Sequence, residues 1–176
     1  MNLDLATLSN GIMPGLTPAC GTTLAESAAV CLEDRAHQAG VTLQVEGLKS
    51  EVCKLQWSTI DDRQRRCFND LQEATEWGAC GIAILVINKL TGLLVVERSK
   101  KGTGFDYWLG DSSDDLLFLG KARLEVSGIL LGQSTDIATR VKQKKAQIKP
   151  SNHLAPGYVA VVEFGKPTAH VAEVGT

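Results

Sequence analysis

Two short segments set a carboxylate inside an otherwise apolar run: Gly104-Phe105-Asp106-Tyr107-Trp108-Leu109 and Arg123-Leu124-Glu125-Val126-Ser127-Gly128. Side chains alternate between the faces of a strand. Read that way, the first segment groups Phe105, Tyr107 and Leu109 against Asp106 and Trp108. The second groups Leu124 and Val126 against Glu125 and Ser127. If the strands are neighbours, Asp106 and Glu125 lie side by side. Two like charges so placed repel unless a cation or a shared proton compensates them. Two carboxylates with carbonyl oxygens nearby make a hard-oxygen donor set suited to Mg²⁺ or Mn²⁺. The bland arrangement of the same residues is an open sheet face with both acids in water, or ion pairs to Arg98 and Arg123.

The cations fall in two places. Residues 140–149 carry Arg140, Lys142, Lys144, Lys145 and Lys149. On a helix, Arg140 and Lys144 are four apart and Lys142 and Lys145 three apart, spacings that bring heads to one side. Such a track suits a phosphate backbone. It equally suits a solvated helix end, where cations complement the dipole. Lys100-Lys101-Gly102-Thr103-Gly104 lacks the glycine-lysine pattern of a P-loop and leads into no helix. It reads as a tight turn between strands, with Lys100 and Lys101 near any site those strands build. Residues 111–115 hold three acids without EF-hand spacing. His37, His153 and His170 are far apart, with no HExxH pattern, and there is no GxSxG motif. The five cysteines are odd in number and lack a CxxC pair. They read as free thiols of a reducing cytoplasm rather than a zinc site or disulfide framework.

These residues need a scaffold, and the composition describes one. The chain has 176 residues, a net charge of −2, 44% hydrophobic and 22% charged residues. A single domain of this size buries roughly 70% of its unfolded surface. The near-neutral charge argues against a monomer that coats nucleic acid unspecifically. The longest apolar run, Gly78 to Ile87, is ten residues, about half a membrane span. Met1 to Thr23 lacks the basic start of a secretory signal. A cytoplasmic protein without a membrane segment is the expectation.

Residues 1–22, rich in Gly, Pro and Thr, read as a loosely ordered arm. Thr23 can cap a helix over about 24–38, which Gly40 stops. Residues 41–46 alternate as a half-buried strand. The state of residues 48–60 is left open. A long helix is predicted over 61–90, with Phe68, Leu71, Thr75, Gly78, Ile82 and Leu85 on one stripe. Its second half is apolar nearly all round and should be buried, and Gly92 suits the left-handed position that ends it. Three strands follow, over 93–98, 105–109 and 123–129, joined as an antiparallel meander. Ser134 or Thr135 caps a helix over 136–148, and strands over 158–164 and 169–174 close the chain. This is one α/β domain, a mixed β-sheet flanked by helices.

The order helix, three strands, helix, strand over residues 61–165, with Asp106 on the second strand and Glu125 on the third, resembles the PD-(D/E)XK nuclease superfamily. The resemblance implies a restriction-endonuclease-like αβββαβ core. It implies that Asp106 and Glu125 bind Mg²⁺ or Mn²⁺, with Glu76 or Glu73 on the long helix as the third acid. The superfamily's lysine, two residues after the second acid, is replaced here by Ser127. Lys121 shares Glu125's face but lies about 13 Å away at the rise of an extended strand. Lys142, Lys144 or Lys145 could instead arrive from the following helix. The function implied is a metal-dependent nuclease acting on or binding nucleic acid, its site active or weakened. Lys100, Lys101, Arg140, Lys142, Lys144 and Lys145 would meet the phosphates. The alternative is a catalytically inactive nuclease-fold module that serves as a protein–protein interaction subunit, which Ser127 and the slight negative charge favour. One basic helix is little surface for a monomer to hold nucleic acid, so a homo-oligomer is expected.

Overall fold

A computed structural model describes residues 2–111 and 122–175. The strands are β1 (Asn2–Asp4), β2 (Val41–Gly47), β3 (Glu51–Gln56), β4 (Leu94–Arg98), β5 (Tyr107–Gly110), β6 (Ala122–Ile129), β7 (Gly157–Glu163) and β8 (Thr168–Val174). They form one sheet in the order β1-β3-β2-β8-β7-β6-β5-β4. It is mixed: β1–β3, β2–β8 and β6–β7 are parallel and the other pairs antiparallel. The helices are α1 (Pro18–Asp34), α2 (Asp62–Cys67), α3 (Leu71–Thr91) and α4 (Ser134–Ile148). Helices α1 and α3 share the main core with Leu43, Val45, Leu124, Val126, Ala160 and Val162. On the opposite face, Ile137, Val141 and Ile148 of α4 pack with Val159, Val161 and Ala172. The expected α/β class, one domain with a mixed sheet flanked by helices, is what forms.

The N-terminal segment departs from the expected arm. Asn2–Asp4 pairs with β3, and Leu3, Leu5, Leu8, Met13 and Leu16 are buried. Asp4 caps a 3-10 helix, Leu5–Asn10, by accepting from the Ala6 amide at 3.0 Å. Gly15 donates to the Val95 carbonyl at 2.9 Å, which ties the segment to β4 on the other sheet edge. Helix α3 packs against α1 and the 3-10 helix as well as against β4, β6, β7 and β8. That explains a helix with buried residues on every side, from Ala74 to Leu90.

Helix α1 begins at Pro18 with Thr17 as its cap, ahead of Thr23, which lies inside the helix and donates to the Ala19 carbonyl. A Cβ at Gly21 would lie 2.0 Å from the Leu8 carbonyl oxygen, so the 3-10 helix can lie against α1 only there. The unassigned residues 48–60 hold β3. The single helix expected over 61–90 is two. Asp61 and Gln64 box the start of α2, and Asp70 opens α3 by accepting from the Gln72 and Glu73 amides. Gly92 takes the left-handed conformation predicted for it, with φ of 78°.

One mismatch of length shapes the end of the sheet where β5 meets β6. Strand β6 has eight residues and β5 four, and their ladder stops at Tyr107–Leu124. Beyond it, the β6 edge opens. The β4–β5 turn passes through Gly102 and Gly104, both at positive φ, and a Cβ on Gly104 would lie 2.8 Å from the Gln147 carbonyl oxygen. Phe105 consequently packs on the α4 side, edge-on to Trp108 with centroids 4.8 Å apart. It does not share the face of Tyr107 and Leu109, which the alternation had grouped with it.

Candidate functional site

Asp106 stands where β5 parts from β6. Its amide donates to the Leu124 carbonyl at 2.8 Å. Its Oδ2 accepts from the Val126 amide at 2.8 Å, which caps the open strand edge. The β5–β6 register, extended by one residue, sets Asp106 opposite Glu125. Glu125 is only 2% exposed. Burial, then the Asp106 charge, push its carboxyl up to about 7 against the opposing pull of Lys144. Glu125 therefore keeps its proton up to about neutral pH.

Helix α4 supplies the cations, and a match of repeats explains how. It returns the chain from β6 to the parallel β7, so it runs antiparallel to both. Four helical residues rise about 6.0 Å and two strand residues about 6.6 Å. Every fourth helical position thus meets every second strand position. Arg140 Nη1 donates to Ser127 Oγ at 2.8 Å. Lys144 Nζ donates to Glu125 Oε1 at 2.6 Å, and Gln147 Nε2 to the same oxygen at 2.8 Å. Lys144 also donates to Gln147 Oε1 at 3.0 Å. The third rung is Arg123, wholly buried. Its Nη1 donates to the Ile148 carbonyl at 3.0 Å and to Ser151 Oγ. Its Nε donates to the Ala155 carbonyl at 2.8 Å and its Nη2 to Asn152 Oδ1 at 3.0 Å. This guanidinium clasps the C-terminus of α4 and so holds the two rungs above it.

Arg123 therefore pairs with neither acid. Arg98 donates to the Tyr107 hydroxyl at 3.4 Å and lies over the Trp77 and Tyr107 rings, at 6.0 and 5.5 Å from their centroids. The open-face and arginine-pair arrangements give way to a lysine-held acid pair in a cleft.

That cleft has a volume of about 760 Å³ and lies along the open β6 edge, between α3 and α4. Asp106, Glu125, Ser127 and Glu76 all line it, as do Arg98, Arg140 and Lys144. Glu76 is exposed on its rim, and Glu73 is exposed outside it. Among the described residues, no group of three His, Cys, Asp or Glu side chains is placed to hold a metal ion. The acids that converge are two. A second cavity of about 360 Å³ meets the same pair from the other side, lined by Lys100 and Lys101 of the β4–β5 turn. Arg98, Asp106, Glu125 and Gln147 line both cavities. Lys142 and Lys145 are exposed and line neither, because a helix turns them away from Arg140 and Lys144. Lys121 and residues 112–115 of the acidic loop lie outside the described residues.

Several lining residues escaped the sequence reading. Gln147 follows Lys144 by three positions on the same helix face, a signal that was available. Trp77, Cys80 and Tyr107 meet only through the packing of α3 on β5. Burial pushes the Cys80 thiol up to about 12 and the Tyr107 hydroxyl upward as well, so both stay protonated near neutral pH. Comparison of the chain with protein-family models, with curated proteins and with solved structures finds no match.

Proposed function

We propose that the cleft is the site of a Mg²⁺- or Mn²⁺-dependent phosphodiesterase acting on nucleic acid. The observation that carries this reading is the meeting of Asp106, Glu125 and the Lys144 ammonium at the open edge of β6. Two opposed carboxylates that repel fit a divalent cation, which would displace the proton held on Glu125. Mg²⁺ binds through one or two carboxylates and fills its other positions with water and substrate phosphate. When bound, such a cation lowers the pKa of a coordinated water and offsets phosphate charge. Asp106 and Glu125 would hold it, and Glu76 on the rim could orient one of its waters. Lys144 brings to the second acid the positive charge that Ser127 cannot, and stands where charge would build on the phosphorane. Gln147 fixes the lysine by accepting from it.

The test is cleavage of single- and double-stranded DNA and RNA in Mg²⁺ or Mn²⁺. Asp106→Ala and Glu125→Ala should abolish it, and Lys144→Met should slow it by about two orders of magnitude. Cleavage that survives the double alanine variant would sink the assignment.

A second reading, an inactive module of the same architecture that binds a protein partner, is favoured by one observation. Glu125 Oε1 is already taken by Lys144 and Gln147, and two acids rather than three converge among the described residues. Calorimetry with Mn²⁺ separates the two: binding that depends on Asp106 supports the first, and no binding supports the second.

A further inference from the structure

The cleft is chemically divided along its length. At one end stand the acids and Lys144, with Trp77 half-buried on α3 beside Arg98; at the other, Leu71, Ile129 and Leu130 form an apolar wall. Between them lies Arg140, which spends one N–H on Ser127 and keeps the rest of its fork beside the cavity. The step from Lys144 to Arg140 is about 6 Å, one helical repeat of four residues. Along the larger cleft the order is acid pair with Lys144, then Arg140, then the apolar wall, and Lys100 and Lys101 line the smaller cavity on the other side of the acids.

We propose that this cleft takes a single strand of nucleic acid, with one phosphate at Asp106 and Glu125, the next at Arg140, and unstacked bases against Trp77 and against the apolar wall. The inference rests on the phosphodiesterase reading and adds the substrate class. The carboxylates are walled by α3 on one side and α4 on the other, and the Glu125 side chain is 3% exposed. A phosphate of a duplex would have to carry the opposing strand in with it. A paired base, moreover, offers no face to an apolar wall, whereas an unstacked base gains from an aromatic and apolar surface. The volume of about 760 Å³ lies within the range of pockets that enclose a small ligand. The cations of the cleft match the backbone charge, and the acids beside them mark the bond that would break.

Fluorescence anisotropy in EDTA tests the proposal without turnover. The full chain is titrated into a labelled single-stranded deoxyuridine oligomer, a uridine oligomer and a DNA duplex of equal length. The tighter of the two single strands assigns the sugar. Either should bind at least tenfold more tightly than the duplex. Trp77→Ala should weaken single-strand binding about tenfold, and Trp77→Phe should retain most of it. Arg140→Gln should weaken it and lower the salt slope by about one phosphate contact. Circular dichroism of each variant excludes simple unfolding. A duplex that binds as tightly as the single strands overturns the proposal, and so do folded Trp77→Ala and Arg140→Gln variants that both bind like the parent. Single-strand binding with no cleavage in Mn²⁺ would keep the single-strand cleft and refute the phosphodiesterase. Preferred cleavage of duplex would do the reverse.

Discussion

Replacing Glu125 by glutamine should remove a defined part of the protein's pH dependence. The carboxyl is raised from an ordinary value of 4.5 to about 7. Because the folded value lies above the unfolded one, the native state holds a proton that the unfolded chain has released. Its stabilising contribution is complete below about pH 4.5 and is lost as pH rises through about 7. At about 1.4 kcal/mol per unit, the full swing is about 3 kcal/mol. Solvent does not screen it, since Glu125 is 2% exposed. In a chain of this length that is roughly 6–12 °C of melting temperature. The introduced glutamine would mimic the protonated acid: its oxygen can still accept from Lys144, and its amide can donate to Asp106. Thermal unfolding at fixed ionic strength, from pH 5 to 8, should show the parent losing stability relative to Glu125→Gln. If Mn²⁺ displaces the proton held on Glu125, it should stabilise the parent more at pH 8 than at pH 5. Parallel curves for parent and variant, or a parent that gains on the variant as pH rises, would refute the coupled pair.

Arg123→Met should cost about 3 kcal/mol in urea unfolding, because it leaves the Ile148 and Ala155 carbonyls, Ser151 and Asn152 without their buried donor. Gly78→Ala should cost about 1–3 kcal/mol by the same measurement, since the added Cβ would lie 2.7 Å from the Ala28 Cα where α1 crosses α3. Removing residues 1–16 should leave a chain without a cooperative melting transition. Leu3, Leu5, Leu8, Met13 and Leu16 are all buried, and at about 1.5–3 kcal/mol each their loss rivals a typical total stability of 5–15 kcal/mol.

What was legible in the sequence was mostly periodic. The strands over 41–46 and 123–129 and the helical stripe in 136–148 match the observed elements within a few residues, the first and last because each buries a single face. The errors fall where composition stood in for contact. Glycine, proline and threonine made residues 1–22 look loose, yet the leucines among them supply the strap that joins both sheet edges. The break between α2 and α3 is hidden because Phe68 and Leu71 continue the apolar stripe across it, although α2 stops at Cys67 and Asp70 caps the start of α3. Phe105 was assigned to the wrong face because alternation assumes an extended chain, and the turn at Gly104 carries it across the sheet. The acid pair itself was legible, since register alone places Asp106 opposite Glu125. That β5 ends there and opens the cleft was not, because strand length depends on the same turn.

The serine at position 127 follows from the partner it has. On the α4 face of β6, position 127 meets position 140 and position 125 meets position 144, by the shared repeat of about 6 Å. With Arg140 on the helix, a lysine at 127 would set two cations against each other beneath the sheet face, at a cost that burial increases. Serine accepts from the guanidinium instead. The positive charge then has to reach Glu125 from elsewhere, and position 144 is where the helix repeat delivers it. Ser127 and Lys144 are therefore linked choices. One keeps Arg140 compatible with the strand, the other restores the cation at the acids, and Arg123 at the third rung fixes the helix height on which both depend.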